Sequence, residues 1–433
     1  VVRNDYDRRD TDTFAAGWNG KYENDDVILS LDVSYSKSDR RLQQIESYSG
    51  LGYGAAATLP FDTITYTRNA SGFPYTFSNS IDYSNTNLIR LTDPRGWGGG
   101  RNIVQTGFIN DTRTKDDLWT IRGEVVGKVE SGLIEQLVAG FAFNDRTKSR
   151  DITQNFLSLA GGTTTDPNLP GAVLSAPIPA SALLEPIASL GFLGFGPQVA
   201  YNPFALLNDG TYVLTSIESS DLPFPGDWTV DEKVYTGYVR ADLRTEIGTL
   251  PMTGNVGVQL VFTDQSSSGF DSPGGIGARR TAVTAGDKYS HVLPSINLTF
   301  EIADNMKLRL SAARTLARPR MDQLNASTSA SISNLPQGAL GSIFSAGGGN
   351  PRLRPYVADG IDASYEWYFG GGKGYVSLAG YYKELEDFVN PSASIIRDFS
   401  YLVPLLSPTQ LATFNASGGQ TLGFASAPDN GAE

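Results

Sequence analysis

Apolar and polar residues alternate regularly on both sides of glycine-rich turns, and this pattern most constrains what this 433-residue chain can fold into. In residues 361–369 the odd positions are apolar or aromatic, whereas Asp362, Ser364 and Glu366 lie between them. The alternation resumes in residues 376–383, after a run of three glycines. A period of two residues indicates a β-strand with one apolar face. The sequence therefore predicts a hairpin whose apolar face contacts either a second sheet or lipid.

The same pattern occurs in four earlier hairpins, so we predict ten strands of roughly 12 to 16 residues each. The paired runs are 14–22 with 27–35, 119–125 with 137–143, 235–243 with 256–262, and 296–302 with 306–312. The links between hairpins are much longer than the turns within them and cover residues 40–115, 150–229, 269–286 and 319–353. Soluble sandwiches have strands of about five or six residues and short connections at both ends. Short turns at one end and long loops at the other are typical of a transmembrane antiparallel β-barrel.

Aromatic residues near the strand ends agree with a membrane location. Tyr22, Trp119, Trp367 and Phe369 occupy positions that fit the interfacial girdles of such barrels. The alternative is that they are core aromatics of a soluble sheet. An open ten-strand sheet would leave two unpaired edges in hydrocarbon, which is costly. We therefore expect the chain to be a segment of a larger barrel, beginning and ending outside the membrane.

Composition excludes several classes of function. The chain has no Cys, which removes disulfides, thiolate catalysis and Cys-based zinc sites. Its single histidine, His291, argues against a Ser-His-Asp triad and excludes two-histidine metal motifs. A net charge of -12 provides no basic field for nucleic acid. No run of eighteen apolar residues predicts a membrane helix. We expect no catalytic residue, no metal and no cofactor.

Several motifs follow one another in the second half of the chain. They are Leu293-Pro294-Ser295, Thr315-Leu316-Ala317-Arg318-Pro319 and Gly349-Asn350-Pro351. Together with "LTDPRGWGGG" at residues 91–100, they resemble the barrel of TonB-dependent outer-membrane receptors, in particular a proteobacterial group often linked to oligosaccharide uptake. The likeness touches most of the chain, but the two longest loops match weakly.

The resemblance implies a barrel of 22 strands around an N-terminal plug, with short periplasmic turns and long extracellular loops. It implies an active-transport receptor, not an enzyme, in the outer membrane of a Gram-negative bacterium. Its partners would be outer-membrane lipid, the TonB complex acting through the plug, and a scarce solute. An oligosaccharide is favoured and a ferric siderophore comes next. Residues 1–433 show no plug domain, energy-coupling box or final strands, so we expect a partial barrel. The motif residues Pro294, Arg318, Pro319, Asn350 and Pro351 would be structural.

Two sets of side chains are candidates for contact with the solute. The first would line a polar lumen and consists of Asp32, Arg122, Glu124, Arg240, Asp242, Gln259, Arg309 and Lys383. These residues could instead pair with one another and simply hold the barrel together. The second set consists of loop aromatics that offer flat faces to sugar rings or aromatic chelators: Tyr66, Tyr75, Trp97 and Tyr201.

Two other functions remain open at this stage. The chain could be a passive porin-like or adhesin barrel without a plug. It could also be a secreted, soluble β-rich glycan-active enzyme that uses Glu384 with Glu386, or Asp116 with Asp117, as its carboxylate pair.

Overall fold

The computed structural model describes residues 1–54, 59–68, 75–98, 102–188, 190–216, 226–272 and 280–430. The chain divides into two compact units. Unit 1 consists of Val1–Thr11, Arg40–Arg113 and Ile152–Leu222. Unit 2 consists of Asp12–Asp39, Thr114–Asp151 and Pro223–Glu433.

Where the structure describes it, the first half of the chain contains strands that range from two to more than twenty residues, together with a short helix. They are β1 (Val2–Glu23), β2 (Val27–Gly50), β3 (Ile64–Arg68), β4 (Tyr75–Asn79), β5 (Arg90–Thr92), β6 (Gly107–Ser131), β7 (Ile134–Leu159), β8 (Ser175–Ala176), β9 (Leu183–Ile187), β10 (Gln198–Tyr201), α1 (Pro203–Asn208) and β11 (Tyr212–Ser216). A 3₁₀ turn, Gly191–Leu193, precedes β10.

The second half also consists mainly of strands. Its elements are β12 (Trp228–Ile247), β13 (Leu250–Ser272), β14 (Thr281–Ala303), β15 (Met306–Ala317), β16 (Thr328–Gln337), β17 (Ser342–Gly348), β18 (Tyr356–Phe369), β19 (Gly374–Glu386), β20 (Val389–Asp398), α2 (Pro408–Ala416) and β21 (Leu422–Asn430). A 3₁₀ segment, Ser400–Leu405, lies between β20 and α2. Among the described residues, neither helix has the length and apolarity needed to cross a bilayer.

Ten long strands pair in chain order, and they are the ten that the sequence predicts. The pairs β7–β12, β12–β13, β13–β14, β14–β15, β15–β18 and β18–β19 are all antiparallel. Before them, β1 pairs with β2, β2 with β6, and β6 with β7. The predicted turn at Gly370–Gly372 is also confirmed, since all three residues have left-handed φ angles that favour glycine.

The predicted strand lengths are right for only three strands. β15, β18 and β19 have 12, 14 and 13 residues, but β6 has 25 and β7 has 26. The backbone ladder continues beyond the segment in which one face is apolar. Hydrophobic periodicity detects only that apolar segment, because strand residues that are polar on both faces carry no period-two signal.

The apolar face of unit 2 carries large side chains that nothing in the described part of the chain covers. Leu378 is 73% exposed and Leu260 is 57% exposed, and Ile361 and Val239 are similarly open. A soluble protein rarely leaves so much contiguous apolar surface uncovered. The sequence left two possible contacts for this face, a second sheet or lipid. Its exposure therefore favours lipid.

Buried apolar residues form separate clusters in the loop segments. In unit 1 the core contains Ile45, Ile89, Leu91, Leu157 and Leu206. In unit 2, one cluster joins β17 to α2 through the ring contacts of Phe344 with Phe399 and Phe414. The long connections are thus folded, with cores of their own.

Gly140 in β7 provides a test of packing on the polar face. A Cβ at this position would lie 2.4 Å from Cζ of Tyr238, whose hydroxyl donates a hydrogen bond to Glu124. We expect Gly140→Ala to displace the ring, break this hydrogen bond and lower the free energy of unfolding by about 1 to 2 kcal/mol. Gly237→Ala is the matched control, since nothing lies within 4 Å of its Cβ position. Urea unfolding in lipid vesicles measures both, and equal stability of the two variants would contradict this packing.

Candidate functional site

The strand register places polar residues in common rows across unit 2, because directly paired residues share a face. One row consists of Arg240, Gly257, Ser295, Ala313, Gly360 and Lys383. The next row towards the turns begins with Asp242, Asn255 and Asn297. Gln259 and Arg309 belong to the same face by the same pairing. Five of the eight residues predicted to line the lumen therefore lie on one polar surface.

The other three residues of that set lie on the polar sides of their own strands. Glu124 accepts the hydrogen bond from Tyr238, which lies two residues before Arg240 on β12. Arg122 shares the face of Glu124, because residues two apart on a strand point the same way. Asp32 accepts a hydrogen bond of 3.4 Å from the side chain of Asn19.

Several members of this polar face form ion pairs with one another. Nε of Arg240 lies 2.7 Å from Oδ1 of Asp242, and Nε of Arg309 lies 3.0 Å from Oε1 of Glu366. The first pair lies within β12, and the second joins β15 to β18. Such pairing agrees with the alternative that these residues hold the barrel together. Direct contact of these side chains with a solute stays a prediction.

Residues 318–327 and 349–355 include parts of two of the motifs. We call these two ranges together the motif strap. NH1 of Arg318 lies 2.7 Å from Oε2 of Glu232, whose side chain is only 5% exposed. Gln265 donates from Nε2 to the carbonyls of Pro351 at 3.0 Å and Leu353 at 2.8 Å. Glu232 and Gln265 are direct partners across β12 and β13. The motif strap is thus fastened to the polar face of these two strands.

Apolar packing and backbone hydrogen bonds complete the motif strap. Its apolar side chains bury the start of β12, in a cluster of Trp228, Val230, Met321, Leu324, Leu353 and Val389. Asn350 donates from its backbone to Gln323 at 2.8 Å, which joins the two halves of the strap. Pro319 is buried, whereas Pro294 lies on β14 opposite Val258 of the apolar face. These contacts support the structural role that the resemblance implies for the motif residues.

In unit 1, the hairpin of β3 and β4 carries two of the predicted ligand-binding aromatics. The rings of Tyr66 and Tyr75 meet edge to face at 5.6 Å, and Tyr66 is 66% exposed. Tyr75 also contacts Phe77 at 6.4 Å, and Phe77 stacks on Phe195 at 5.4 Å. We call these four rings the aromatic ladder. Sequence reasoning missed Phe77, although its spacing of two from Tyr75 places both on one strand face, and nothing in the sequence indicated Phe195.

A hydrogen-bonded carboxylate fixes the base of this hairpin. Asp62 accepts hydrogen bonds from the hydroxyl of Tyr83 at 2.8 Å and from the backbone N–H of Ser80 at 2.9 Å. Burial opposes ionisation of Asp62, but these hydrogen bonds outweigh it and hold its pKa below the usual value. Burial, together with the hydrogen bond to Asp62, raises the pKa of Tyr83 to about 12. At neutral pH Asp62 is therefore ionised and Tyr83 is protonated, so the hydrogen bond between them is kept.

The other two predicted loop aromatics differ from each other. Trp97 is half-exposed and packs against Tyr48 at 4.7 Å, and Asp93 accepts its backbone N–H at 3.0 Å. Gly99 and Gly100 of the same motif lie outside the described residues. Tyr201 departs from the expectation, because it is 2% exposed and its hydroxyl is 2.9 Å from Oγ of Ser47. A ring buried in the core of unit 1 offers no face to a ligand.

Three of the four carboxylates considered for glycan hydrolysis make structural contacts. Asp116 pairs with Arg146 at 2.6 Å, whereas Asp117 accepts a hydrogen bond from Tyr35 at 2.7 Å. These two carboxylates point to opposite faces of β6, because successive strand residues alternate. Glu386 lies 3.5 Å from Arg314. In the described ranges no group of three or more metal-ligating side chains is present.

A long antiparallel meander with one uncovered apolar face, one polar face and short turns at one end defines a class, the outer-membrane β-barrels. Within that class, residues 47–421 match the family described as "TonB dependent receptor-like, beta-barrel". The chain belongs to this family, whose members lie in the outer membrane of Gram-negative bacteria. The predicted fold class, family and localisation are thereby confirmed.

Solved structures of receptors show similarity at low identity. The ferric-catecholate import receptor Fiu from E. coli K12 is 13% identical with a TM-score of 0.42, over 90% of this chain and 42% of that one. The siderophore receptor PiuA from Acinetobacter baumannii is 12% identical with a TM-score of 0.39, over 87% of this chain and 40% of that one. The alcaligin receptor FauA from Bordetella pertussis is 10% identical with a TM-score of 0.34, over 97% of this chain and 48% of that one. The chain spans less than half the length of these proteins. No curated protein matches it.

Proposed function

We propose that this chain is part of the barrel of an active-transport receptor that captures a scarce solute and imports it with TonB-derived energy. The plug and the final strands would belong to the rest of that receptor. Membership of the family and a polar face lined with paired charges support this role over a passive pore. Selectivity would come from loop contacts, and no covalent chemistry is involved.

An oligosaccharide is the favoured solute, and the aromatic ladder is the observation that carries this preference. Its exposed tyrosine rings offer flat apolar faces with hydroxyl groups at the edge, a combination that suits the C–H faces and hydroxyls of sugars. The net charge of -12 also favours a neutral ligand over an anionic one, because a negative protein field repels anions. The resemblance to the group linked to oligosaccharide uptake points the same way.

A ferric siderophore is the second candidate, and one observation favours it. Arg68 is the direct partner of Tyr75 across the β3–β4 hairpin, which places a guanidinium beside the aromatic ladder. A cation beside stacking rings suits an anionic aromatic chelate.

Uptake by whole cells tests the proposal. Cells that express the receptor, the same cells without it, and cells without TonB are given labelled neutral oligosaccharides or a ferric catecholate. We expect oligosaccharide accumulation that requires both the receptor and TonB. Accumulation of the ferric chelate alone would show that the solute is a ferric siderophore and not an oligosaccharide. Uptake that persists without TonB would indicate a passive pore.

A further inference from the structure

A cavity of about 510 Å³ lies on the polar face of unit 2, where β1, β2, β6 and β7 run side by side. We call it the wall cavity. Its side chains include three hydroxyls, one ion pair and one apolar group: Thr13, Ser36, Ser38, Asp116, Arg146 and Leu118. Volumes of about 300 to 1,000 Å³ are typical of small-molecule sites. From the sequence only Asp116 stood out, and then as a possible hydrolytic carboxylate.

Strand alternation places the wall cavity on the polar face. The rings of Tyr35 and Trp119 meet at 4.7 Å on the opposite, apolar face. Ser36 and Leu118 are their neighbours in sequence, so they point to the polar face, and Ser38 shares the face of Ser36. The hydroxyls therefore face away from lipid.

The wall cavity lies near the long-loop end of the strands. Arg146 is the direct partner of Glu232 on β12, and the Glu232 carboxylate holds Arg318 of the motif strap. The motif strap belongs to the long connection between β15 and β18. In outer-membrane barrels the long loops are extracellular. A solute that enters from outside therefore meets this part of the polar face first.

The ion pair of the wall cavity keeps hydrogen-bonding capacity for a ligand. Arg146 donates from Nε to Oδ1 of Asp116 at 2.8 Å and from Nη2 to Oδ2 at 2.6 Å. A carboxylate has about four acceptor sites and a guanidinium has five N–H donors, so each partner retains further sites. The Asp116 side chain is 22% exposed and that of Arg146 is 39% exposed, which leaves those sites within reach of a solute.

The charges around the wall cavity nearly balance. Nζ of Lys148 is 3.8 Å from the Asp116 carboxylate, so Arg146, Lys148 and Arg318 stand against Asp116 and Glu232. A surface that offers donors and acceptors side by side, with little net charge, suits hydroxyl groups, because each hydroxyl both donates and accepts. A compact anion would find one of the two carboxylates beside every cation.

We propose that the wall cavity is a subsite for one sugar ring of a neutral oligosaccharide, an inference that rests on the proposed function. Sugar hydroxyls donate to the remaining acceptor sites of Asp116 and accept from Arg146, and such charge-assisted hydrogen bonds are about twice as strong as neutral ones. Ser36 and Ser38 bind further hydroxyls, and Leu118 contacts a C–H face of the ring. The ion pair already holds Asp116 and Arg146 in place, so binding orders few additional side chains.

Calorimetric binding of maltotriose, cellotriose and xylotriose to the full-length receptor tests the subsite. Whichever of them binds, Ser36→Ala/Ser38→Ala should bind it about tenfold more weakly, about threefold for each hydroxyl. The matched control is Ser30→Ala/Ser34→Ala, which removes two half-buried hydroxyls from the same face of β2 outside the wall cavity and should keep the affinity. Full affinity in the first variant overturns the subsite but leaves the proposed function. No binding of any of the three sugars to the unchanged receptor overturns the oligosaccharide and the subsite together.

Protection of a thiol separates solute contact from a structural role of these serines. Since this chain has no Cys, Ser38→Cys places its only thiol in the wall cavity. Bound oligosaccharide should slow the reaction of this thiol with a methanethiosulfonate reagent by about fivefold or more, and the reaction at Ser30→Cys should keep its rate. A Ser38→Cys thiol that is unreactive without sugar would show that another part of the receptor fills the wall cavity. Equal protection at both sites would show that the solute only blocks entry to the lumen, and either result overturns the subsite.

Discussion

Arg318→Ala is expected to lower the free energy of unfolding by about 3 kcal/mol, the largest stability effect of any single change proposed for this chain. Arg318 pairs with Glu232 at 2.7 Å, and the Glu232 carboxylate is almost fully buried. Removing the guanidinium leaves that charge in a poorly hydrated place. The packing of Met321, Leu324 and Leu353 on Trp228 should loosen with it. Urea unfolding in vesicles, followed by tryptophan fluorescence, measures the loss.

Two variants show whether the loss comes from the uncompensated charge. Arg320→Ala removes an exposed arginine that pairs with Asp322 only two residues away, and it should cost less than about 0.5 kcal/mol. Adding Glu232→Gln to Arg318→Ala should restore part of the lost stability, because the amide carries no charge to compensate. A double variant no more stable than Arg318→Ala would show that lost packing, and not the buried charge, explains the effect.

Tyr66→Ala/Tyr75→Ala is expected to weaken solute binding by about 10- to 100-fold, the largest functional effect we foresee. Each ring contributes a flat face of the aromatic ladder, and one aromatic contact is worth about 0.5 to 1.5 kcal/mol beyond the area that it buries. The β3–β4 hairpin should keep its fold, because Asp62 and Tyr83 hold its base. Equilibrium binding to the purified receptor measures the change, with the transported solute as ligand.

The matched control keeps the rings and removes only the hydroxyls. Tyr66→Phe/Tyr75→Phe should bind within a fewfold of the unchanged receptor if stacking dominates. Tyr201→Phe changes a ring that is buried away from solvent and should have no effect on binding. Full affinity in the double alanine variant would remove the aromatic ladder from the binding site.

The sequence was sufficient for the barrel strands and for the division of their faces. The period-two pattern marks all ten strands, and it assigns residues such as Arg240 and Lys383 to the polar face that the register confirms. This succeeds because side-chain alternation is a local property of the extended backbone and needs no knowledge of distant residues. Strand length was underestimated where both faces are polar, as in the loop-side portions of β6 and β7.

Contacts between residues that are far apart in the chain were decided only by the tertiary structure. Glu232 and Arg318 are 86 residues apart, Phe77 meets Phe195 across two separate loops, and Tyr201 is buried although it lies in a long connection. Loops carry no periodic signal, so their conformation follows from which apolar groups find a common core. The sequence by itself therefore determined the strands and their two faces and indicated a membrane barrel, whereas the exposure of the apolar face in the folded protein decided for lipid. Only long-range packing decided which loop rings remain open to a ligand and which charges are buried.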